Sequence, residues 1–236
     1  MGRGRRRADR AARAGIRSLS RARARTVRIS DAATTAQTRA LHAHRRALVA
    51  QLREEIGVPA TPAGRASLVI VMGYPGVGKS HCARLLATAL AGAHVATDHL
   101  RSRLFIAASY ADEENAAVFG IAEALVEELL AEGHTVVLDA THLTRRNRAP
   151  AERVAGARGV TVHHVLVTAE DAEARARLDT RGRDRAADDH SDADVRVYER
   201  MRERGFEAPA SYLEIRNGPL VNDEVARVVA IIAGAA

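Results

Sequence analysis

The sequence predicts an α/β fold, with a five-stranded parallel sheet and helices on both of its faces. Two observations lead there. From Ser67 onward, apolar runs at 67–72, 93–97, 134–139, 160–167 and 212–215 alternate with stretches of helical periodicity. Alternating strands and helices imply parallel strands joined by helical crossovers. The first run, Ser67-Leu68-Val69-Ile70-Val71-Met72, is apolar throughout, as a strand buried on both faces must be. At 236 residues the chain suits one compact domain with an extension.

The extension comes first. Residues 1–28 hold eleven arginines against one acid, Asp9, while the remainder holds 25 basic and 28 acidic residues. The formal charge of +7 therefore belongs to the leader, and the body is close to neutral. Residues 1–35 carry too little apolar surface to offset ordering entropy. Three readings stand for them: an unstructured leader, an arm that attracts nucleic-acid phosphates, or an organelle transit peptide. Residues 36–56 read as a helix, with Leu41, Leu48, Leu52 and Ile56 as its stripe, packed outside the domain that follows. The Pro/Gly-rich stretch ending at Gly64 breaks the chain.

After the first strand comes Gly73-Tyr74-Pro75-Gly76-Val77-Gly78-Lys79-Ser80, which fits G-x-x-x-x-G-K-[ST]. His81 to Leu90 continues it with helical spacing. Strand, glycine loop and helix are the context in which this pattern cradles nucleotide phosphates on backbone N–H groups and a helix N-terminus. Lys79 is the chain's only lysine. An ammonium is a slim point charge that can reach between phosphates, where a planar guanidinium is too wide. Lys79 is thus expected to bridge the β- and γ-phosphates, and Ser80 to offer its hydroxyl to Mg²⁺. Cys82, the single cysteine, reads as a small core residue of the helix. It excludes an internal disulfide.

In such sheets, ligands bind at the carboxyl ends of the strands. The second strand ends in Thr97-Asp98, with Arg101 one turn on. Asp98 can be read as a helix N-cap or as the acceptor of a substrate hydroxyl's proton, with Arg101 binding the substrate. Asp112 to Glu132 is the clearest helix, with a Val118, Ile121, Leu125 and Leu129 stripe and Gly133 as its stop. The third strand ends in Asp139, which suits Mg²⁺. Thr144 reads as the next N-cap, and His142 as a polar loop residue or a substrate contact. After the fourth strand, Arg177 and Arg181 share a helix face. They read either as a solvated basic face or as a lid whose guanidinium groups steady a transferring phosphoryl. A last helix is expected near 222–233. No apolar run reaches the length of a membrane span, and the expected compartment is the cytoplasm.

Gly73–Ser80, Asp98-x-x-Arg101, the stretch from Asp139 to Arg148, and Arg177-x-x-x-Arg181-Gly182 together resemble the P-loop kinases that include the 5′-kinase module of polynucleotide kinases. Zeta toxins and chloramphenicol phosphotransferase are more distant relatives, and bacterial members are called AAA-type ATP-binding proteins. The resemblance covers about residues 67–233. It implies a P-loop NTPase three-layer sandwich of sheet order 2-3-1-4-5, occupying 65–236 with a helical lid over about 170–204. It implies ATP and Mg²⁺ as cofactors. ATP would be held by Gly73, Pro75, Gly76, Val77, Gly78, Lys79, Ser80 and His81, and Mg²⁺ by Ser80 and Asp139. By the same resemblance Asp98 is the general base, Arg101 holds the substrate, and Arg181 is the lid arginine, supported by Arg177. His142 departs from the asparagine common in the family, and His81 from Thr or Ser.

The reaction expected is transfer of the γ-phosphoryl of ATP to a hydroxyl. The acceptor is open between a nucleic-acid 5′-OH and a small molecule such as a nucleoside, sugar or antibiotic. A nucleotide-dependent switch without an acceptor is the other reading.

Overall fold

The computed structural model describes residues 41, 44–62, 65–105, 110–181 and 194–234, with Arg181 described by its backbone alone. The leader expected over 1–35, Gly64, residues 182–193 of the expected lid and the Arg181 side chain lie outside the described residues. The chain divides into two compact units, 1–44 with 109–117, and 45–108 with 118–236.

The second unit contains the sheet. Helix α1 (Arg45–Glu55) precedes β1 (Ser67–Met72) and α2 (Lys79–Ala89). Strand β2 (Ala93–Ala96) runs directly into α3 (Thr97–Leu104), and α4 (Asp112–Ala131) leads to β3 (Val136–Asp139). Then follow α5 (Arg145–Ala157), β4 (Thr161–Thr168), α6 (Asp171–Arg181), α7 (Val195–Arg204), β5 (Leu213–Arg216) and α8 (Val221–Ile232). The five strands lie in the order β2-β3-β1-β4-β5 and every pairing is parallel. This is the P-loop NTPase order that the resemblance implied.

β1 is central, and all six of its residues are buried. Alternate residues of a strand face opposite sides. Val69, Val71, Val137, Val165, Val167 and Ile215 point to one face and pack with Cys82 and Leu86 of α2, Leu178 of α6, Tyr198 of α7 and Val228 of α8. Leu68, Ile70, Met72, Val95, Val136 and Leu138 are among the buried residues of the alternate set, and α5 packs against β1 and β4. Full burial of each such aliphatic side chain contributes about 1.5–3 kcal/mol.

Helix α4 buries Val118, Ile121, Leu125 and Leu129, the stripe read from the sequence. It ends where Gly133, at φ 88°, lets the chain turn back and His134 N donate to Leu129 O. Helix α1 differs from expectation in its stripe. Val49 and Leu52 are buried, and Leu48 and Ile56 are only half-buried. Three contacts tie the helix to its neighbours: Arg45 Nη2 donates to Gly120 O at 2.6 Å, Arg53 pairs with Glu132, and Glu55 accepts from Arg103 at 2.7 and 2.8 Å.

In the first unit, the described residues hold the start of α4. Asp112, Glu113 and Glu114 stand in its first turn, where the helix dipole favours negative charge. Asn115 Nδ2 donates to Tyr110 O at 2.9 Å.

Candidate active site

The site is built at the carboxyl edge of the neighbouring strands β2, β3 and β1. β1 ends at Met72, and the chain passes through Gly73–Gly78 into α2. Gly76 has φ 80°, and a Cβ there would stand 2.6 Å from Ala174 O, so only glycine fits. Gly78 caps α2 in the left-handed region and, being glycine, makes no side-chain cap bond. The positive end of the helix lies here, where an anion is favoured. Gly73 N donates to Thr141 O at 3.1 Å, which ties the loop to the segment after β3. Lys79 folds back over the loop, its Nζ donating to Tyr74 O at 3.0 Å.

Asp139, the last residue of β3, pairs in register with Val71 of β1 and Ala96 of β2. Its carboxylate is buried. Burial raises its pKa, but the His94 hydrogen bond and charge, the nearby Lys79 charge and a bond from the Ser80 hydroxyl outweigh that and hold it below the usual carboxylate range. An ionised carboxylate beside the serine of the phosphate loop is a donor set that fits Mg²⁺, which is held by one or two carboxylates together with nucleotide phosphates and water. Among the described residues, no group of three or more His, Cys, Asp or Glu could hold a metal ion, so phosphate oxygens and water would complete the shell.

α3 begins directly off β2. Thr97 Oγ1 donates to Asp139 O at 3.2 Å and fixes that start. Asp98 is not the N-cap. The cap is Ala96, extended at φ −106°, and no side chain caps this helix. The strand passes into the helix without a turn, which leaves Asp98 one residue inside it. Asp98 is half-buried and Arg101 buried. The register pairs Ala96 with Asp139, and Asp98 follows two residues later, in the first turn of the helix off β2, one strand further from the loop. Arg177 of α6 reaches the loop from the other side, its Nη1 3.4 Å from Gly76 O and its Nη2 3.1 Å from Glu173. His81 is exposed on α2.

His142 lies in the loop between β3 and α5, buried and not on the surface. It is 1% exposed, with φ 45°. Its Nδ1 lies 3.2 Å from Val71 O, so Nδ1 carries the hydrogen and donates. Phe119 meets the ring edge-on at 6.3 Å. Burial pushes its pKa down to about 4. Asn, Asp and His are the side chains most tolerant of the left-handed region, which accounts for a histidine where asparagine is common. Arg148, also buried, donates to His142 O at 2.8 Å and to Glu207 O at 2.7 Å. Thr144 caps α5, accepting from Asn147 N at 3.3 Å as expected.

Three features carried no signal in the sequence. His94 Nε2 lies 3.2 Å from Asp139 Oδ2. Asn217, just past β5, donates Nδ2 to Val77 O of the loop at 2.8 Å. Tyr198 of α7 donates to Asp171 at 2.6 Å and meets Tyr74 of the loop edge-on at 6.0 Å, with the Arg202 guanidinium 5.8 Å from the Tyr74 ring.

Solved structures of similar fold include the APS kinase CysC of Mycobacterium tuberculosis in complex with AMPPNP and APS. It has a TM-score of 0.53 and 21% identity, covering 73% of this chain and 99% of that chain. Kti12 of Chaetomium thermophilum, in complex with ADP-AlF3, has a TM-score of 0.59 and 20% identity, covering 71% and 98%. A gluconokinase from Sinorhizobium meliloti 1021 has a TM-score of 0.52 and 18% identity, covering 72% and 94%. None of the curated proteins matches the chain. These structures are similar to this chain in fold, and its sequence matches a family model over residues 68–209, described as an AAA domain: the chain belongs to the AAA_33 family.

Proposed function

We propose that the protein is an ATP-dependent kinase that moves the γ-phosphoryl of ATP to an acceptor hydroxyl. The observation that carries this reading is the row of groups at adjacent strand ends: the Lys79–Ser80 loop on β1, Asp139 on β3 and Asp98 after β2. A switch or simple ATPase has use for the first two and none for an acid one strand beyond.

In this reading, the amides of Gly73–Ser80 bind the phosphates. Lys79 leaves Tyr74 O for the β- and γ-phosphates. Ser80 and Asp139 would hold Mg²⁺, which would supply charge neutralisation on the phosphate oxygens. Arg101 orients the acceptor, and Asp98 accepts its hydroxyl proton. The acceptor oxygen bonds to the γ-phosphorus as the bond to the β–γ bridging oxygen breaks, and ADP leaves. Arg177, and by the same reading Arg181 one turn on, balances charge on the phosphoryl in transit.

The resemblance in the site motifs favours a nucleic-acid 5′-OH as acceptor. The APS kinase and gluconokinase folds favour a small molecule. One experiment decides both the activity and the acceptor: ADP release from ATP and Mg²⁺ with a 5′-hydroxyl oligonucleotide, adenosine phosphosulfate, gluconate or water, beside Asp98→Asn. The variant should lose about 10²–10⁴-fold in transfer, the usual contribution of a general base, while still binding ATP. Full transfer by the variant would sink the assignment of Asp98. ADP release that no acceptor stimulates would favour the switch.

A further inference from the structure

We infer that Asn217 is a positioning residue of the phosphate-binding loop, holding the Val77–Gly78 peptide so that its N–H faces the nucleotide. The inference rests on the reading of Gly73–Ser80 as the nucleotide site, but not on kinase activity.

A loop that encloses phosphates must turn its N–H groups inward, and its carbonyls consequently outward. An outward carbonyl under a packed domain has no water and needs a donor. Two of the loop's carbonyls receive one from a side chain distant in sequence. Gly76 O takes Arg177 Nη1 at 3.4 Å, and Val77 O takes Asn217 Nδ2 at 2.8 Å. The second bond is the shorter, and it is buried. A carbonyl only accepts, so the amide nitrogen of Asn217 must be the atom that faces it.

The peptide joining Val77 to Gly78 is planar and trans, so its C=O and N–H point in opposite directions. Fixing Val77 O on Asn217 therefore aims Gly78 N–H away from Asn217 and out of the packed interior.

Asn217 is itself fixed. It is 9% exposed, and its own N–H donates to Thr168 O at 2.7 Å, the last residue of the neighbouring strand β4. The approach is close enough that a Cβ on Gly78 would collide with Asn217 Nδ2. Gly78 is thus glycine for two reasons: its φ of 88° and the space this amide fills. With the loop braced on β4 and β5 through one side chain, its amides are arranged before any ligand arrives.

The test is the affinity of the full chain for ADP, by calorimetry at a temperature well below the melting point, in the parent protein and in Asn217→Leu. Leucine keeps the volume and removes the donor. The result expected is binding weakened about tenfold, the worth of one buried hydrogen bond to an otherwise orphaned carbonyl, even where the variant is fully folded by circular dichroism. A merely structural asparagine would lower the melting temperature and leave the affinity of the folded protein unchanged. A loss of less than about threefold in folded Asn217→Leu overturns the inference. If the leucine variant does not fold, Asn217→Ala is titrated and judged by the same threshold. A parent protein that does not bind ADP overturns the nucleotide site itself, and this inference with it. A parent that binds ADP but phosphorylates nothing overturns only the kinase reading.

Discussion

His94 Nε2 and Asp139 Oδ2 stand 3.2 Å apart across the β2–β3 pairing. One carboxylate oxygen is thereby occupied, and the carboxylate cannot rotate freely beside Ser80. A partner of this kind acts through the group it orients, and its loss commonly costs 10- to 100-fold in metal affinity. His94→Leu should weaken Mg²⁺-dependent ATP binding by about 10-fold or more. It should change ADP affinity in EDTA far less. Titrating Mg²⁺ against a fluorescent ATP analogue in parent and variant measures this. Parallel losses with and without Mg²⁺ would show His94 to be a packing residue instead.

His142 makes stability depend on pH. Its pKa is about 4 in the folded chain against an ordinary 6.5. Between those values the unfolded chain binds the proton and the folded chain does not, so acid favours unfolding. The contribution is therefore full above pH 6.5 and is lost as pH falls to about 4. It is on the order of 3 kcal/mol over the window. His142→Asn keeps a side chain suited to φ 45° and removes the titration. Urea melts at pH 7 and pH 5 should show a smaller loss for the variant than for the parent. Equal losses would mean that His142 is protonated where it sits.

Much of the fold was legible because its signals are local. The apolar run of β1, the glycine loop behind it and the stripe of α4 each depend on neighbours within a few residues. Each strand came out within one or two residues of where its run suggested. The order of the strands was not written in any run and came from the resemblance of motifs. The same limit explains what was missed in the site. Asn217 meets Val77 across 140 residues, and His94 meets Asp139 across 45. A histidine in a strand and an asparagine before a glycine look ordinary until the sheet brings them to the loop. The cap reading of Asp98, one of the two the sequence allowed, assumed that the helix begins after a turn, and this one begins on the strand itself. Val49 stands in the buried stripe of α1 where Leu48 was expected, three residues before the buried Leu52 and so on the same face.

Cys82 sits three residues beyond Lys79, fully enclosed, and burial pushes its thiol up to about 11. At neutral pH it is therefore protonated and out of reach, doubly silent to alkylating reagents, for which the thiolate is the nucleophile. No other thiol in the chain competes for the label. The rate of labelling then reports how often α2 swings clear of the sheet, in the unaltered protein and with no probe added to the site. ADP, by bracing the loop at the head of that helix, should slow the labelling in proportion to its occupancy. Labelling at the same rate with and without saturating ADP would mean that the helix opens independently of the loop it carries.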